Sequence, residues 1–275
     1  MKLRIRTEAG VTEVAGLSDA LTDWQGDAER WLFVTPHDDD VVLGGGMMLQ
    51  AARDAGIEVH VAVASDGRMG YCHTEQKERI TTIRRRETAR AFEILGNPEE
   101  HWLGYPDCDL DHHTGRRPVE TVAGETPDVR EGHTGLQNSL TALLRRLRPT
   151  RVFVPTGEDY HPDHKTVYRE LLISIFHASG AVWPELGEPL AAVPVIYEMA
   201  VYCDFPEDPT LQLAGAEGML EAKLEAIGVY ESQEQIGALV RSVRDAGPYE
   251  YFLEHPFVLY DSRRYAGLFE NGTQG

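Results

Sequence analysis

The chain has 275 residues, enough for one large domain or two small ones with a sizeable core, and its 42% hydrophobic and 26% charged content is ordinary for a globular protein. With 26 Lys and Arg against 45 Asp and Glu, the net charge of −19 argues against nucleic acid and anionic membrane surfaces as main partners. Cys72, Cys108 and Cys203 form no CxxC pair, which speaks against a disulfide framework and against a thiolate zinc site.

In chain order, "KLRIRT" alternates apolar and basic residues and predicts a half-exposed edge strand. The opening residues lack the apolar stretch of a signal peptide, and no run of about 18 apolar residues suggests a membrane span, so a cytoplasmic location is expected. The segment up to Asp27 reads as a turn or short helix. "WLFVTP" is a buried strand that runs into "HDDD", and "VVLGGGMMLQAARDAG" becomes helical after its glycines and stops at Gly56. "EVHVAVAS" (58–65) is a second buried strand leading to the loop "DGRMGY". Residues 81–95 carry small and apolar side chains at helical spacing, and Gly96-Asn97-Pro98 ends that helix.

"HWLGYPD" reads as another strand, and residues 107–134, rich in turn formers, as a long surface loop. Then follow the helix "LQNSLTALLRRLRP", the strand "RVFVPT" and the helix "HPDHKTVYRELLISIFHA", with Pro162 in its first turn. "PVIYEMAVY" is a further strand, and residues 214–243 form one or two helices. Strands and helices alternate from about residue 30 to 245. That pattern predicts an α/β fold, Rossmann-like, with a mostly parallel sheet and helices on both faces. A single domain over 1–275 is expected, with an N-terminal extension (1–28) and a C-terminal tail (246–275).

In such a sheet, ligands bind at the carboxyl ends of the strands. "PHDDD" sits there. One Asp would suffice to cap the next helix, but this stretch offers three carboxylates and an imidazole. Like charges held together raise a pKa unless a cation holds them, so a divalent ion is the economical reading, with His37 and Asp40 both able to point at it. A phosphate loop fits poorly, because "GGGMML" lacks the last glycine of GxGxxG and the aspartates would repel a pyrophosphate. A second cluster, "GEDYHPDHKT", follows another buried strand. A solvated helix start explains Pro162 and Asp163 there but neither His161 nor His164. Both clusters would share one edge of the sheet.

The pairing of an HPDD-type motif after the first buried strand with a later HPDH resembles the PIG-L/LmbE-like zinc de-N-acetylases. Three softer matches accompany it: "SDGRMG" (65–70), "RRRETARAFEILG" (84–96) and "KLEAIGVYESQ" (223–233). The resemblance implies that His37, Asp40 and His164 ligate Zn2+ and that Asp39 is the general base for its water. It further implies that His161 stabilises the oxyanion or protonates the leaving amine, with Asp163 orienting that imidazole. The implied reaction is hydrolysis of an N-acetyl or other N-acyl group, on a small molecule such as an N-acetylglucosamine derivative. A non-catalytic carbohydrate-binding protein and a metal-dependent phosphoesterase are the alternatives. Asp38 stands where the family has proline and is expected to face solvent, since an unpaired carboxylate is costly to bury.

On the substrate side, Arg68 is the leading candidate, followed by His112, His113, Arg116 and Arg117 in the long loop and by the aromatic rings of Trp102, Tyr105 and Tyr160. Ser232 and Gln233 are expected to line the pocket or position their helix. His73, His101, His133, His177 and His255 have no evident partner and read as structural.

Overall fold

The computed structural model describes residues 1–120 and 124–270. Its eleven strands are β1 (Lys2–Thr7), β2 (Gly10–Val14), β3 (Arg30–Thr35), β4 (Glu58–Ser65), β5 (Glu99–Tyr105), β6 (Arg117–Pro118), β7 (His133–Thr134), β8 (Arg151–Pro155), β9 (Val195–Met199), β10 (Leu211–Ala214) and β11 (Tyr249–His255). The α-helices are α1 (Leu17–Ala20), α2 (Asp40–Asp54), α3 (Ile80–Leu95), α4 (Leu136–Leu147), α5 (Pro162–Ser179), α6 (Glu217–Gly228), α7 (Ile236–Ala246) and α8 (Arg263–Glu270). Among the described residues no helix is long and apolar enough to cross a membrane.

Nine strands form one sheet in the order β2-β1-β10-β11-β9-β8-β3-β4-β5. The strands from β9 to β5 pair in parallel and form the expected α/β core. Buried on both faces, they alternate strictly. Trp31, Phe33, Val61, Val63, Phe153 and Tyr197 pack towards α2, α3 and α6, whereas Leu32, Val34, Ala62, Ala64, Val152 and Val154 pack with α4 and α5. Phe33 and Phe153 stack with centroids 4.4 Å apart.

The flanks differ from the sequence reading. β1 is not the edge: it pairs with β2 on one side and β10 on the other, so its alternation reflects a sheet with one wet face. The tail contributes β11, which inserts between β9 and β10 and buries Phe252 and Leu253. β10 is too short, and β2 too polar, to stand out by periodicity. The described residues of 107–134 lie outside the main sheet, but β6 and β7 form a small ribbon of their own among them.

Helix α2 starts earlier than expected, at Asp40, and takes the three glycines into its length. Gly45 leaves helical geometry (φ −144°, ψ 20°). The N–H groups of Met47 and Met48, freed near this kink, donate to the Glu250 carboxylate at 2.7 and 2.9 Å. Lys223 donates to the Leu43 carbonyl and to Glu250. A Cβ at Gly45 would come within 3.1 Å of Phe33, so the glycines let the helix lie close to the sheet.

Candidate active site

After β3 the neighbouring strand on one side is β4, and on the other side it is β8, reached only much later in the chain. This is the switch point where an open sheet leaves a crevice at its carboxyl edge. The segments leaving β3 and β8 supply His37–Asp40 and Thr156–His164. The first is folded by its own charges: the His37 N–H donates to Asp40 Oδ2 at 2.8 Å. In the second, Asp159 accepts the His161 N–H at 3.0 Å, and His161 Nδ1 caps α5 by accepting the Asp163 N–H at 3.2 Å.

His37, Asp40 and His164 are buried, and one donor atom from each lies within 4.8 Å of the others. His164 Nε2 stands 3.3 Å from Asp40 Oδ1, and His37 Nδ1 stands 3.4 Å from Asp40 Oδ2. Neither Asp40 Oδ1 nor His164 Nε2 has a hydrogen-bond partner among the described residues. Such atoms are costly to bury bare, and two of them side by side mark a place for a cation. The far nitrogen of each imidazole faces a carboxylate. His37 Nε2 is 3.1 Å from Asp107 and 3.4 Å from Asp163, and His164 Nδ1 is 3.1 Å from Asp159. That is the arrangement by which ligating histidines are oriented. Burial by itself would raise the Asp40 pKa, but His164 and His37 outweigh it and hold the carboxyl far below its ordinary range.

Asp39 and Asp38 are anchored from α3. Arg84 donates to Asp39 Oδ1 at 2.8 Å and to Asp38 Oδ1 at 2.7 Å, and the Thr88 hydroxyl donates to Asp38 Oδ2 at 2.6 Å. The Tyr230 hydroxyl donates to the Asp38 carbonyl at 3.0 Å. Asp38 is therefore buried and fully engaged, which corrects the expectation that it faces solvent: Arg84 supplies the charge that makes its burial tolerable. Asp39 remains 14% exposed at its side chain. Burial is the main cause of its raised pKa, countered by Arg84.

The family described as PIG-L, GlcNAc-PI de-N-acetylase, matches residues 32–175, just over half of the chain. A 1D-myo-inositol 2-acetamido-2-deoxy-alpha-D-glucopyranoside deacetylase of Saccharopolyspora erythraea is 30% identical over 203 residues, which is 68% of this chain and 70% of that protein. This chain belongs to the PIG-L family. Among solved structures, the N,N'-diacetylchitobiose deacetylase of Pyrococcus horikoshii superposes with a TM-score of 0.67 at 25% identity, over 88% of this chain and 90% of that one. The 4-carboxy-2-hydroxymuconate hydratase of Pseudomonas putida shares the fold (TM-score 0.61, 19% identity, 85% of this chain and 99% of that one), so the scaffold alone does not determine the reaction.

The softer family matches now have a physical content. The buried Glu87 of the Arg-Glu helix accepts from the Ser232 N–H at 2.8 Å and from its hydroxyl at 2.6 Å, and Gln233 donates to the Gly70 carbonyl. Together with Arg84 and Tyr230, these bonds hold the acidic turn, the loop after β4 and the segment after α6 as one unit. Ser232 and Gln233 are thus structural clamps.

The structure brings together His37, Asp39, Asp40, His161, Asp163 and His164. It alters one route: the Asp163 carboxylate accepts the Cys108 and Leu110 N–H groups, and it is the Asp163 backbone that holds the His161 ring. Arg68 is bonded to Asp66 and to the Gly124 carbonyl, and so ties the loop after β4 to the long loop. Tyr105 is buried and bonded to Ser139, Trp102 packs under Arg85, Arg116 pairs with Glu185 and Arg117 meets His113. Tyr160 is 86% exposed next to His161. Arg84 lay inside the Arg-Glu helix match, whereas Asp107, Asp159 and Tyr202, whose ring lies 5.4 Å from that of His164, were not singled out in the sequence. Asp159 had a local signal, two residues before His161, whereas the others are joined to the site only by the fold.

Proposed function

We propose that this protein is a zinc-dependent N-deacetylase that hydrolyses the N-acetyl group of a small N-acetylglucosamine derivative. The observation that carries the reading is the bare, buried pair Asp40 Oδ1 and His164 Nε2 beside His37, with Asp39 and His161 partly exposed next to it. The donor set fits zinc: two imidazoles and one carboxylate are a catalytic zinc composition, whereas Mg2+ chemistry prefers oxygen ligands. When bound there, zinc supplies Lewis acidity and lowers the pKa of a water it holds to about 7. The relatives named above, as deacetylases of acetamido sugars, support the substrate class.

The chain's own groups divide the proton work. Asp39, fixed by Arg84, accepts a proton from the attacking water, whose oxygen adds to the amide carbon. His161 accepts the Asp163 N–H at Nδ1, so its neutral ring carries its proton on Nε2. Burial lowers its pKa and favours that neutral form. Nε2–H is thereby free to donate to the oxyanion. The proton taken from water goes to the nitrogen as the C–N bond breaks, the new carboxylic acid passes its own proton to the amine, and acetate and an ammonium leave.

The test is acetate release from N-acetylglucosamine, diacetylchitobiose and an N-acetylglucosaminyl inositol, with zinc content measured on the same preparations of wild type, Asp40→Ala and His164→Ala. We expect cleavage of at least one substrate, and both variants to lose one zinc equivalent and fall to background. Cleavage that survives both substitutions, or no cleavage of any N-acetylated sugar by the zinc-loaded protein, would overturn the reading.

A further inference from the structure

A second group of metal-ligating side chains lies at the opposite edge of the sheet, in the first turns of β4 and β5. His60 and Glu99 are directly paired across the parallel ladder, and His101 follows Glu99 by two residues, so all three point to the same face. His60 Nδ1 and His101 Nε2 are 3.1 Å apart. The Glu99 carboxylate bridges them, with one oxygen 3.6 Å from His60 Nδ1 and the other 3.7 Å from His101 Nε2. Donors around a tetrahedral ion with bonds of 2.0–2.1 Å stand roughly 3.3 Å apart, close to the separation of the two nitrogens, and one donor atom from each of the three residues lies within 4.8 Å of the others. The His60 ring is buried and its Nε2 meets Glu58 Oε1 at 2.9 Å, the outer carboxylate that fixes a ligating imidazole. Glu99 is 67% exposed at its side chain, which leaves the remaining position open to water.

We propose that His60, Glu99 and His101 form a second site for a borderline transition metal such as zinc, separate from the His37–Asp40–His164 group. Without the ion the cluster is a hydrogen-bonded chain: Arg146 donates to His101 Nδ1 at 3.3 Å, His101 Nε2–H faces His60 Nδ1, and His60 Nε2–H faces Glu58. Binding requires the His101 proton to leave Nε2 and sit on Nδ1, and Arg146, an exposed side chain on α4, to swing away. An ion here would pin the start of β4 to that of β5. The imidazole pair selects zinc, cobalt, nickel or copper over magnesium or calcium.

The experiment is a zinc titration of chelator-stripped full-length protein by calorimetry, with bound metal counted after desalting. Wild type, His164→Ala, His101→Ala and Glu99→Gln are compared. His101→Ala is expected to bind one equivalent fewer than wild type whatever His164→Ala does, which separates this site from the one proposed above. Glu99→Gln, exposed and therefore safe for folding, is expected to weaken that equivalent at least tenfold. Arg146→Gln is expected to tighten it, because a competing cation is gone. His101→Ala and Glu99→Gln both binding zinc as wild type does would overturn the proposal. So would a second equivalent that is lost instead in His112→Ala, on the exposed Asp109-Asp111-His112 group.

Discussion

Strands β3 and β8 lie side by side and carry buried charge at both ends, and the two ends are built on opposite terms. At the amino edge, Glu29 and Arg151 form a bidentate pair at 3.0 and 3.1 Å. Glu29 also accepts from the Gln25 N–H, the Trp31 indole and the Thr150 hydroxyl, and Arg151 donates to the Thr22 carbonyl. Each carboxylate oxygen there accepts at least two hydrogen bonds, and each guanidinium nitrogen donates at least one. At the carboxyl edge, Asp40 Oδ1 and His164 Nε2 are equally buried and have no hydrogen-bond partner among the described residues. A protein can bury charge either by satisfying it internally or by leaving it for something to bind. The first strengthens a scaffold, and the second makes a site.

The largest effect that would sharpen this contrast is on chemistry. Asp39→Asn should keep zinc bound while kcat falls by about 10²- to 10⁴-fold, the usual contribution of a general base. Unchanged kcat would remove Asp39 from the mechanism. At the other edge, Arg151→Met should cost about 3–5 kcal/mol in urea unfolding, because Glu29 is left buried and unpaired. The double variant Glu29→Gln, Arg151→Met should recover part of that loss, and no recovery would mean that packing, not charge, dominates there.

Smaller effects come from the groups behind the proposed metal ligands. Asp159→Asn should weaken zinc affinity by about 10- to 100-fold, read by competition with a chelator, and should leave urea stability nearly unchanged. The smallest effect is on acid stability. Burial opposes the Glu29 charge, but its hydrogen bonds and Arg151 outweigh that and lower its pKa below the ordinary 4.5. A carboxyl depressed in the folded state contributes stability that is present above its unfolded pKa and lost as pH falls through the folded one. The urea midpoint of the wild type should therefore decline below about pH 4.5, and that of Glu29→Gln should decline less. Parallel curves would show that Glu29 is not protonated before the fold fails.

The sequence alone determined the parallel core and the place of the site. Periodicity is a local property, and apolar runs as short as "WLFVTP" and "RVFVPT", with β-branched and aromatic residues and a proline to close them, read as strands buried on both faces. Each was followed by a charged motif too dense for a core, so both motifs had to lie on the same edge of the sheet. Tertiary structure decided the rest. Asp38, read as a solvent-facing charge, is buried because Arg84 and Thr88 arrive from α3, 46 and 50 residues away. β11, read as part of a tail, becomes an inner strand because β9 and β10 leave an unpaired gap that only it fills. Asp107 and Asp159 acquire their roles by standing behind two imidazoles. A carboxylate in a sequence carries no mark of what it will face, because its partner is set by strand order and helix placement, which are decided only when the whole sheet is assembled.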